Sequence, residues 1–393
     1  MLEKENAPLI YFDCAATTRC TDEVARVMFE FNHTHFGNAS SPHIMGRRTM
    51  AAVNKSVESI SQLIGCSGRE LTLTSGATES NNIVILGSTC TEKGKNIVIC
   101  PIDHKSSLEA ANEMARRGIE VRSMTVDQYG RINLEHLTNI VDVNTALVTL
   151  SYVNSEIGTL QNLEEIETVL CRSSALFHVD ASQAVGKVEV NVRDSRIDCL
   201  SLSAHKIGGP QGIGALYVRE SIAHRIKPLT FGGGQDKLRS GTLPSQLIVG
   251  FASAADLLKK RSIKILWEEA KIRQSIILQA LQRYELTYLL NSSLNYSVPH
   301  IMNVSFPGVR SETIINGLPN VCVASGSACN SKNMKPSYVL TGVGHSDDRA
   351  NCAIRISFTA DMDINQVYLG AEILAKKVRS LQALVAWKKM EDT

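Results

Sequence analysis

Short apolar runs that end in polar or glycine residues alternate with segments of helical periodicity through the first 218 residues. The runs lie at 70–74, 96–100, 120–125, 146–150, 175–179, 199–202 and 214–218. Alternation of this kind predicts an α/β fold with a mostly parallel seven-stranded sheet between helices. Ligands of open parallel sheets bind beyond the carboxyl ends of the strands, so the residues after each run are the candidates for chemistry.

A different pattern follows this region. A helical stretch is predicted to begin near Pro244 and to run towards Trp267. Helical periodicity over 263–281, strand-like runs at 301–306 and 353–358, and an amphipathic tail over 365–389 come next. We therefore predict a large domain over 15–262, which contains the seven runs, and a smaller α+β domain formed by 1–14 and 263–393.

Composition narrows the class of protein. The 393 residues include 41 Lys and Arg against 39 Asp and Glu, a net charge of +2, which indicates no direct nucleic-acid partner and no membrane partner. No apolar stretch of about 18 residues occurs, and the first residues lack a signal-peptide pattern, so a cytoplasmic location is predicted. Ten cysteines without a C-x-x-C pair signal neither a disulfide framework nor a metal site.

Three of the strand ends are followed by candidate binding groups. The small-residue turn at 75–82 leads into a helix whose first N–H groups, with the Thr78 hydroxyl, suit a phosphate, although a plain capped helix has the same pattern. His104 could stack on a ring or move a proton, or be a surface residue. Asp180 could keep a pyridine nitrogen protonated, or cap the helix that follows it.

Lys206 stands between Ser203, His205 and a glycine-rich turn. Its amine can form a Schiff base with a carbonyl, while the serine and the histidine can donate to a phosphate; a solvated loop lysine is the alternative. With Asp180 and Gln183 added, the strand ends supply what pyridoxal phosphate needs. These are an acid for the ring nitrogen, a donor for the ring oxygen, a phosphate cradle, a stacking group and a lysine.

Two further residues suggest a substrate site. Cys329 lies among small polar residues at 325–331, where an accessible thiol could act as a persulfide carrier or be an incidental loop cysteine. Arg355 lies inside the strand-like run 353–358, where a lone charge is costly without a partner. A substrate α-carboxylate is a natural bidentate partner for it.

The ordered set of motifs resembles the cysteine desulfurases of group I, the NifS/IscS type, within the class V aminotransferase family of fold-type I pyridoxal phosphate enzymes. The motifs lie at 12–18, 36–43, 74–79, 178–183, 203–206, 239–244 and 325–329. The resemblance implies a lysine that forms the internal aldimine, a ring-nitrogen acid, a ring-oxygen donor and a stacking histidine: Lys206, Asp180, Gln183 and His104. It implies phosphate contacts from Ala77, Thr78, Ser203 and His205.

The resemblance also implies a substrate and an assembly. Arg355 would hold the carboxylate of L-cysteine, and Cys329 would attack its sulfur, giving L-alanine and a persulfide whose sulfur passes to an acceptor protein. A threonine at the position of Thr242 reaches the phosphate of the neighbouring subunit in this family, which implies a homodimer.

Three positions depart from the family pattern. Ser155 stands where a second asparagine contacts cofactor or substrate, Asn330 follows the cysteine where threonine or serine is usual, and Cys14 occupies a non-thiol position, where we expect a core filler. The departures favour a specialised branch, DNA phosphorothioation being one, beside iron–sulfur cluster and thiolated tRNA pathways. The alternatives are another fold-type I enzyme, such as an aminotransferase or a selenocysteine lyase, and an inactive scaffold that docks sulfur acceptors.

Overall fold

The computed structural model describes residues 8–88, 94–233, 238–326 and 335–391. Its strands are β1 (Ile10–Tyr11), β2 (Leu71–Thr74), β3 (Asn96–Ile99), β4 (Glu120–Ser123), β5 (Thr145–Ser151), β6 (Leu176–Asp180), β7 (Cys199–Ser203), β8 (Gly214–Val218), β9 (Leu289–Leu290), β10 (Ile301–Ser305), β11 (Val321–Cys322), β12 (Ala324–Ser325) and β13 (Ala353–Ser357). Its α-helices are α1 (Asp22–Thr34), α2 (Ile44–Gln62), α3 (Ala77–Gly87), α4 (Lys105–Arg116), α5 (Leu134–Ile140), α6 (Leu163–Leu170), α7 (Ser245–Lys259), α8 (Ile263–Arg283), α9 (Ser311–Asn316), α10 (Tyr338–Gly342), α11 (Asp347–Asn351) and α12 (Ile364–Glu391).

A seven-stranded sheet in the order β2-β8-β7-β6-β5-β3-β4 forms the centre of the molecule. The pairs from β7 to β4 are parallel, and β8 runs antiparallel to both of its neighbours. Every one of the seven runs predicted from the sequence forms one of these strands, so the predicted α/β fold is confirmed.

Successive residues of the central strands point to opposite faces of the sheet, and both faces are covered by helices. On one face, Val148 and Phe177 join a core that includes Phe251 of α7. On the other face, Leu147 and Leu176 pack in a second core with residues of α3 and α4. Burial on both faces explains why these strands are continuous apolar runs in the sequence.

A second sheet, antiparallel in the order β12-β13-β10-β9, lies in the later part of the chain. Its apolar side chains form a separate core with those of α8 and α12. Ile10 and Phe12, at and just after β1, are fully buried in that same core, although they come from the start of the chain. Within a few residues of Asp13, the chain therefore passes from the core of the antiparallel sheet to that of the central sheet.

The predicted helix from Pro244 towards Trp267 is wrong in one respect, because the structure divides it into α7 and α8. Ser262 has an extended backbone (φ −74°, ψ 128°), and the preceding Arg261 forms ion pairs with Glu269 and Asp361. The apolar pattern continues across the break, so periodicity alone does not show it. In the ranges that the structure describes, no helix is long and apolar enough to cross a membrane.

Candidate active site

A cavity of about 680 Å³ opens at the carboxyl ends of β5, β6 and β7. It is lined by ten of the residues predicted from the sequence, namely Ala77, Thr78, His104, Ser155, Asp180, Gln183, Ser203, His205, Lys206 and Arg355. A cavity of this size is typical of small-molecule and cofactor sites. The structure thus brings together side chains that are up to 278 positions apart (355 − 77).

The N-terminus of α3 forms one wall of the cavity. The Ala77 N–H donates to the Ser203 hydroxyl over 2.8 Å, and the Thr78 backbone lies in the same first turn. Gly76 precedes the helix with a φ of +150°. Gly214 packs against it so closely that a Cβ on Gly214 would lie only 2.6 Å from the Gly76 Cα. Exposed N–H groups at a helix start favour an anion, so this wall suits the phosphate that the sequence predicts here.

Asp180 lies at the floor of the cavity, at the last position of β6, and is 7% exposed. Its carboxylate accepts from the Asn81 amide over 2.8 Å and from the Ser182 N–H over 2.9 Å. The chain makes turns over 181–187, so the alternative that Asp180 caps a following helix is wrong. A buried carboxylate held in this way can face a protonated ring nitrogen.

Asn81 connects Asp180 to His104. The same Asn81 amide nitrogen donates to the Ser106 hydroxyl over 2.9 Å, and that hydroxyl lies 2.8 Å from Nδ1 of His104. Burial lowers the pKa of His104, Lys206 lowers it further, and Asp180 acts in the opposite direction. A neutral imidazole with its Nδ1 turned towards Ser106 can stack on a ring or exchange a proton through Nε2.

Sequence reasoning missed both Asn81 and Ser106. Asn81 lies one turn inside α3, Ser106 is the second residue of α4, and both side chains are buried. A buried polar residue on an otherwise apolar helix face was the available signal, because such a group needs a partner.

Lys206 lies in a 3₁₀ turn just after β7. Its Nζ donates to the carbonyls of Ala15 and Ala16 over 2.6 and 2.7 Å. The Gln183 amide nitrogen donates to the same Ala15 carbonyl over 2.7 Å. The amine and the amide predicted to hold the ring therefore converge on one point of the 13–17 turn.

His205 faces the same turn. Its Nδ1 lies 3.1 Å from the Thr17 hydroxyl, and its backbone carbonyl accepts from Thr18 over 2.8 Å. Burial, with the charge of Lys206, lowers the pKa of His205 to about 4. A neutral ring beside Ala77 and Ser203 is a hydrogen-bond donor for phosphate rather than a second charge.

Arg355 is 8% exposed and has protein partners on two sides. One terminal nitrogen donates to the Ser155 carbonyl over 2.9 Å, and the other donates to an Asp13 carboxylate oxygen over 2.8 Å. The charge of Arg355 therefore has a protein partner, Asp13, in addition to the substrate carboxylate that the sequence predicts for it. The buried Nε of Arg355 has no acceptor among the described residues. Each terminal nitrogen carries a second N–H, and Arg355 lines the cavity, so the guanidinium retains donors for a ligand there.

Two buried carboxyl groups line or adjoin the cavity beyond those predicted. Burial raises the pKa of Asp103 and of Glu156 to about 7 each; the charge of Asp180 adds to the effect on Asp103. The Ser337 hydroxyl donates to Glu156 over 2.6 Å, and the Tyr338 hydroxyl donates to the Asp103 carbonyl over 2.8 Å. These contacts hold the segment at 335–340 against the cavity wall.

One predicted site residue that the structure describes is not part of this cavity. Thr242 is exposed and lies outside the lining that the described residues form. Cys329, with Asn330, lies outside the described residues.

Cys14 and Cys322 are among the cysteines that the structure describes. Cys14 is half-buried, and burial raises the pKa of its thiol to about 11, which fits a filler rather than a nucleophile. Cys322 in β11 is half-buried too, contrary to the apolar pattern around it, because its neighbour Val321 takes the buried face of this two-residue strand.

The residues present fit pyridoxal phosphate. They supply a helix N-terminus for a phosphate, a carboxylate for the ring nitrogen, a histidine for the ring face and a lysine for the aldehyde. Fold and site together define the class of fold-type I pyridoxal phosphate enzymes.

Known proteins share this architecture along nearly the whole chain. Residues 10–369 match the family model of aminotransferase class-V. The chain is 38% identical over 388 residues to the cysteine desulfurase IscS of Neisseria gonorrhoeae, covering 98% of this chain and 96% of that protein. A solved NifS-like protein has a TM-score of 0.87 at 32% identity, covering 96% and 100% of the two chains. SspA, solved in complex with cysteine, has a TM-score of 0.79 at 33% identity, covering 89% and 99%.

The chain belongs to the aminotransferase class-V family. Within that family, the predicted resemblance to cysteine desulfurases of the NifS/IscS type is confirmed. Pyridoxal phosphate as the cofactor is confirmed with it.

Proposed function

We propose that this protein removes sulfur from L-cysteine, leaving L-alanine and a persulfide on Cys329, and passes that sulfur to an acceptor protein. The observation behind the proposal is the cavity that gathers Lys206, the Asp180–Asn81–Ser106–His104 network and Arg355. SspA, a solved relative, is in complex with cysteine, which supports the choice of substrate.

The proposed roles follow from the chemistry of each group. Pyridoxal phosphate, when bound, supplies an electron sink for bond breaking at the substrate carbons. Lys206 would hold its aldehyde, Asp180 its ring nitrogen and Gln183 its ring oxygen. Ala77, Thr78, Ser203 and His205 would hold its phosphate.

On the substrate side, Arg355 binds the carboxylate and His104 moves the protons. The Cys329 thiolate bonds to the substrate sulfur as the carbon–sulfur bond breaks. The electron pair of that bond stays with the three-carbon product, which takes up protons to become alanine. Ser155, with its short side chain and its carbonyl on Arg355, is proposed to contribute to substrate binding through the main chain.

A homodimer with composite sites is part of the proposal. Large apolar side chains are exposed near the α1–α2 region and near the Thr242 segment: Phe29 is 66%, Phe36 75%, Ile44 53% and Phe231 85% exposed. Contact between two copies over these side chains would remove them from water. Thr242, exposed and outside the cavity of its own chain, would then be available to a partner's phosphate site.

The division into domains also stays a proposal. The separate core around the antiparallel sheet and the break between α7 and α8 support a large domain over 15–262 and a small one formed by 1–14 and 263–393. The cytoplasmic location and the pathway that receives the sulfur remain predictions.

Substitution of the nucleophile tests the proposed reaction. We expect Cys329→Ala to lower alanine and sulfide release from L-cysteine, assayed with a reductant, by roughly a hundredfold or more, because it removes the proposed acceptor of the sulfur. Cys171→Ala, at an exposed cysteine, is the matched control and keeps its activity. Lys206→Ala is expected to lose the visible absorbance of the bound cofactor.

Full sulfide release by Cys329→Ala would contradict the persulfide mechanism. Transamination of other amino acids by that variant would then favour the aminotransferase alternative.

A further inference from the structure

Asp13 lies where the chain leaves β1 and passes beside β13. Its backbone forms a parallel bridge with Ser357, two positions beyond Arg355 on the same strand. Its carboxylate accepts from Arg355 over 2.8 Å, and the two side chains are 24% and 10% exposed. An ion pair this far from solvent is screened little, so its geometry is well defined.

The donors of Arg355 show what this contact does. The Ser155 carbonyl and Asp13 each accept from one of the terminal nitrogens. Nε is buried and has no acceptor among the described residues. Each terminal nitrogen carries a second N–H, and Arg355 lines the cavity. A guanidinium that is fixed by its two ends in this way is prepared for one more acceptor, and a carboxylate is the acceptor that its planar fork suits.

We propose that Asp13 is a positioning residue, which holds Arg355 in the orientation that receives the carboxylate of the substrate. The inference rests on the proposed role of Arg355. Without Asp13, a long arginine side chain has several rotamers, and selecting one of them raises the cost of binding a ligand in one geometry. Asp13 removes that cost before the substrate arrives.

The main chain of Asp13 has a different task from its side chain. Its carbonyl accepts from the Ala16 and Thr17 N–H groups and so closes the turn whose Ala15 and Ala16 carbonyls receive Lys206. Because the turn depends on backbone atoms, a change of the side chain alone is expected to leave the lysine side of the cavity intact. The two sides can therefore be separated by experiment.

The test compares Asp13→Ala and Asp13→Asn holoenzymes with wild type. For Asp13→Ala, KM for L-cysteine is expected to rise about tenfold, the loss of one charge-assisted hydrogen bond, with kcat changed less than about twofold. The amide oxygen of Asp13→Asn can still accept from Arg355, so its KM for L-cysteine is expected to lie between those of wild type and Asp13→Ala. Asp361→Ala, which removes a carboxylate paired with a surface arginine, is the control and leaves KM unchanged.

A binding measurement separates this inference from the proposed reaction. Absorbance changes of the bound cofactor report the dissociation constants of L-alanine and of ethylamine, which lacks the carboxylate. Asp13→Ala is expected to weaken L-alanine about tenfold and ethylamine hardly at all. This readout does not depend on sulfur release, so it holds even if Cys329 proves not to be the nucleophile.

Equal losses for the two ligands would overturn the proposal, because they would show a general structural defect. An unchanged constant for L-alanine in either variant would overturn it as well. If Asp13→Ala folds poorly, Asp13→Asn alone tests the proposal, since it preserves the size of the side chain. It is still expected to weaken the binding of L-alanine and not that of ethylamine.

Discussion

A single amide, that of Asn81, sets the relation between the acid and the imidazole of the cavity. It donates to Asp180 and to Ser106, and Ser106 in turn contacts His104. Because all these groups are held by short hydrogen bonds, the His104 ring and the Asp180 carboxylate cannot reorient independently. The network therefore fixes the ring face and the ring nitrogen site of the cofactor together.

Glu156 gives the stability of the protein a pH dependence of definite sign. Its pKa in the folded protein is raised from 4.5 to about 7, chiefly by burial. Between these values the folded protein keeps a proton that the unfolded chain releases. The free energy of unfolding therefore falls as the pH rises through this window.

Glu156→Gln is expected to remove this contribution, because an amide does not titrate in this pH range. The amide oxygen can still accept from Ser337, so the packing is preserved. The melting temperature of the variant should decline less than that of wild type between about pH 5 and pH 8, by about 2 °C or more. Differential scanning calorimetry of the two proteins measures the change of melting temperature with pH. Glu58→Gln, at an exposed position, is the control. Parallel pH profiles of variant and wild type would contradict the assignment.

The strand-end residues could be predicted because each follows a recognisable apolar run. The rule that ligands bind at the carboxyl ends of parallel strands made Lys206, Asp180 and His104 candidates, and the family resemblance assigned their roles. Their partners could not be predicted in this way. Asn81 bonds to a residue 99 positions away, and Asp13 to one 342 positions away, so the pairing exists only after the chain has folded.

At the scale of elements, the seven strands of the central sheet were predictable because burial on both faces makes them apolar throughout. β1, β9, β11 and β12 are two residues long, too short for any periodicity, and their pairing is decided by tertiary contacts. The helix that starts near Pro244 was predicted to run past the break before Ile263, because both helices present apolar faces of the same period.

The close approach of β8 to the turn before α3 depends on Gly214. A Cβ there would lie 2.5 Å from the Leu202 carbonyl oxygen and 2.6 Å from the Gly76 Cα. We expect Gly214→Val to destabilise the protein by roughly 1–3 kcal/mol and to weaken cofactor binding, because the α3 N-terminus must shift.

Urea unfolding of the apoprotein and titration with pyridoxal phosphate measure the two effects of Gly214→Val. The control is Gly233→Ala, where a Cβ has open space. Normal cofactor affinity in a destabilised Gly214→Val protein would show that the α3 wall tolerates the shift.

At the scale of the whole molecule, the proposed dimer makes each cavity depend on two chains. Thr242 would supply a phosphate contact to the neighbouring cavity, while Lys206 acts within its own chain. The aromatic side chains that surround the Thr242 segment and α1 would form the contact between the copies. An enzyme built in this way is expected to lose cofactor affinity when it is dissociated into single chains.

Mixed dimers test that arrangement. A Lys206→Ala chain paired with a Thr242→Ala chain should contain one intact site and about half of the wild-type activity. The matched control pairs wild type with the Lys206→Ala/Thr242→Ala double variant and should contain no intact site. If Thr242 serves its own chain instead, the two results exchange places.

The ion pair between Asp13 and Arg355 also has a consequence for biosynthesis. At about 5–20 residues per second, a ribosome adds Arg355 roughly 17–70 s after Asp13, since 342 positions separate them. The central sheet, by contrast, has all its strands once residue 218 has been made. The strands that lead to Asp180 and Lys206 can therefore pair on a nascent chain. The carboxylate side of the cavity, and the Ser357 contacts of the turn that receives Lys206, are completed only near the end of synthesis.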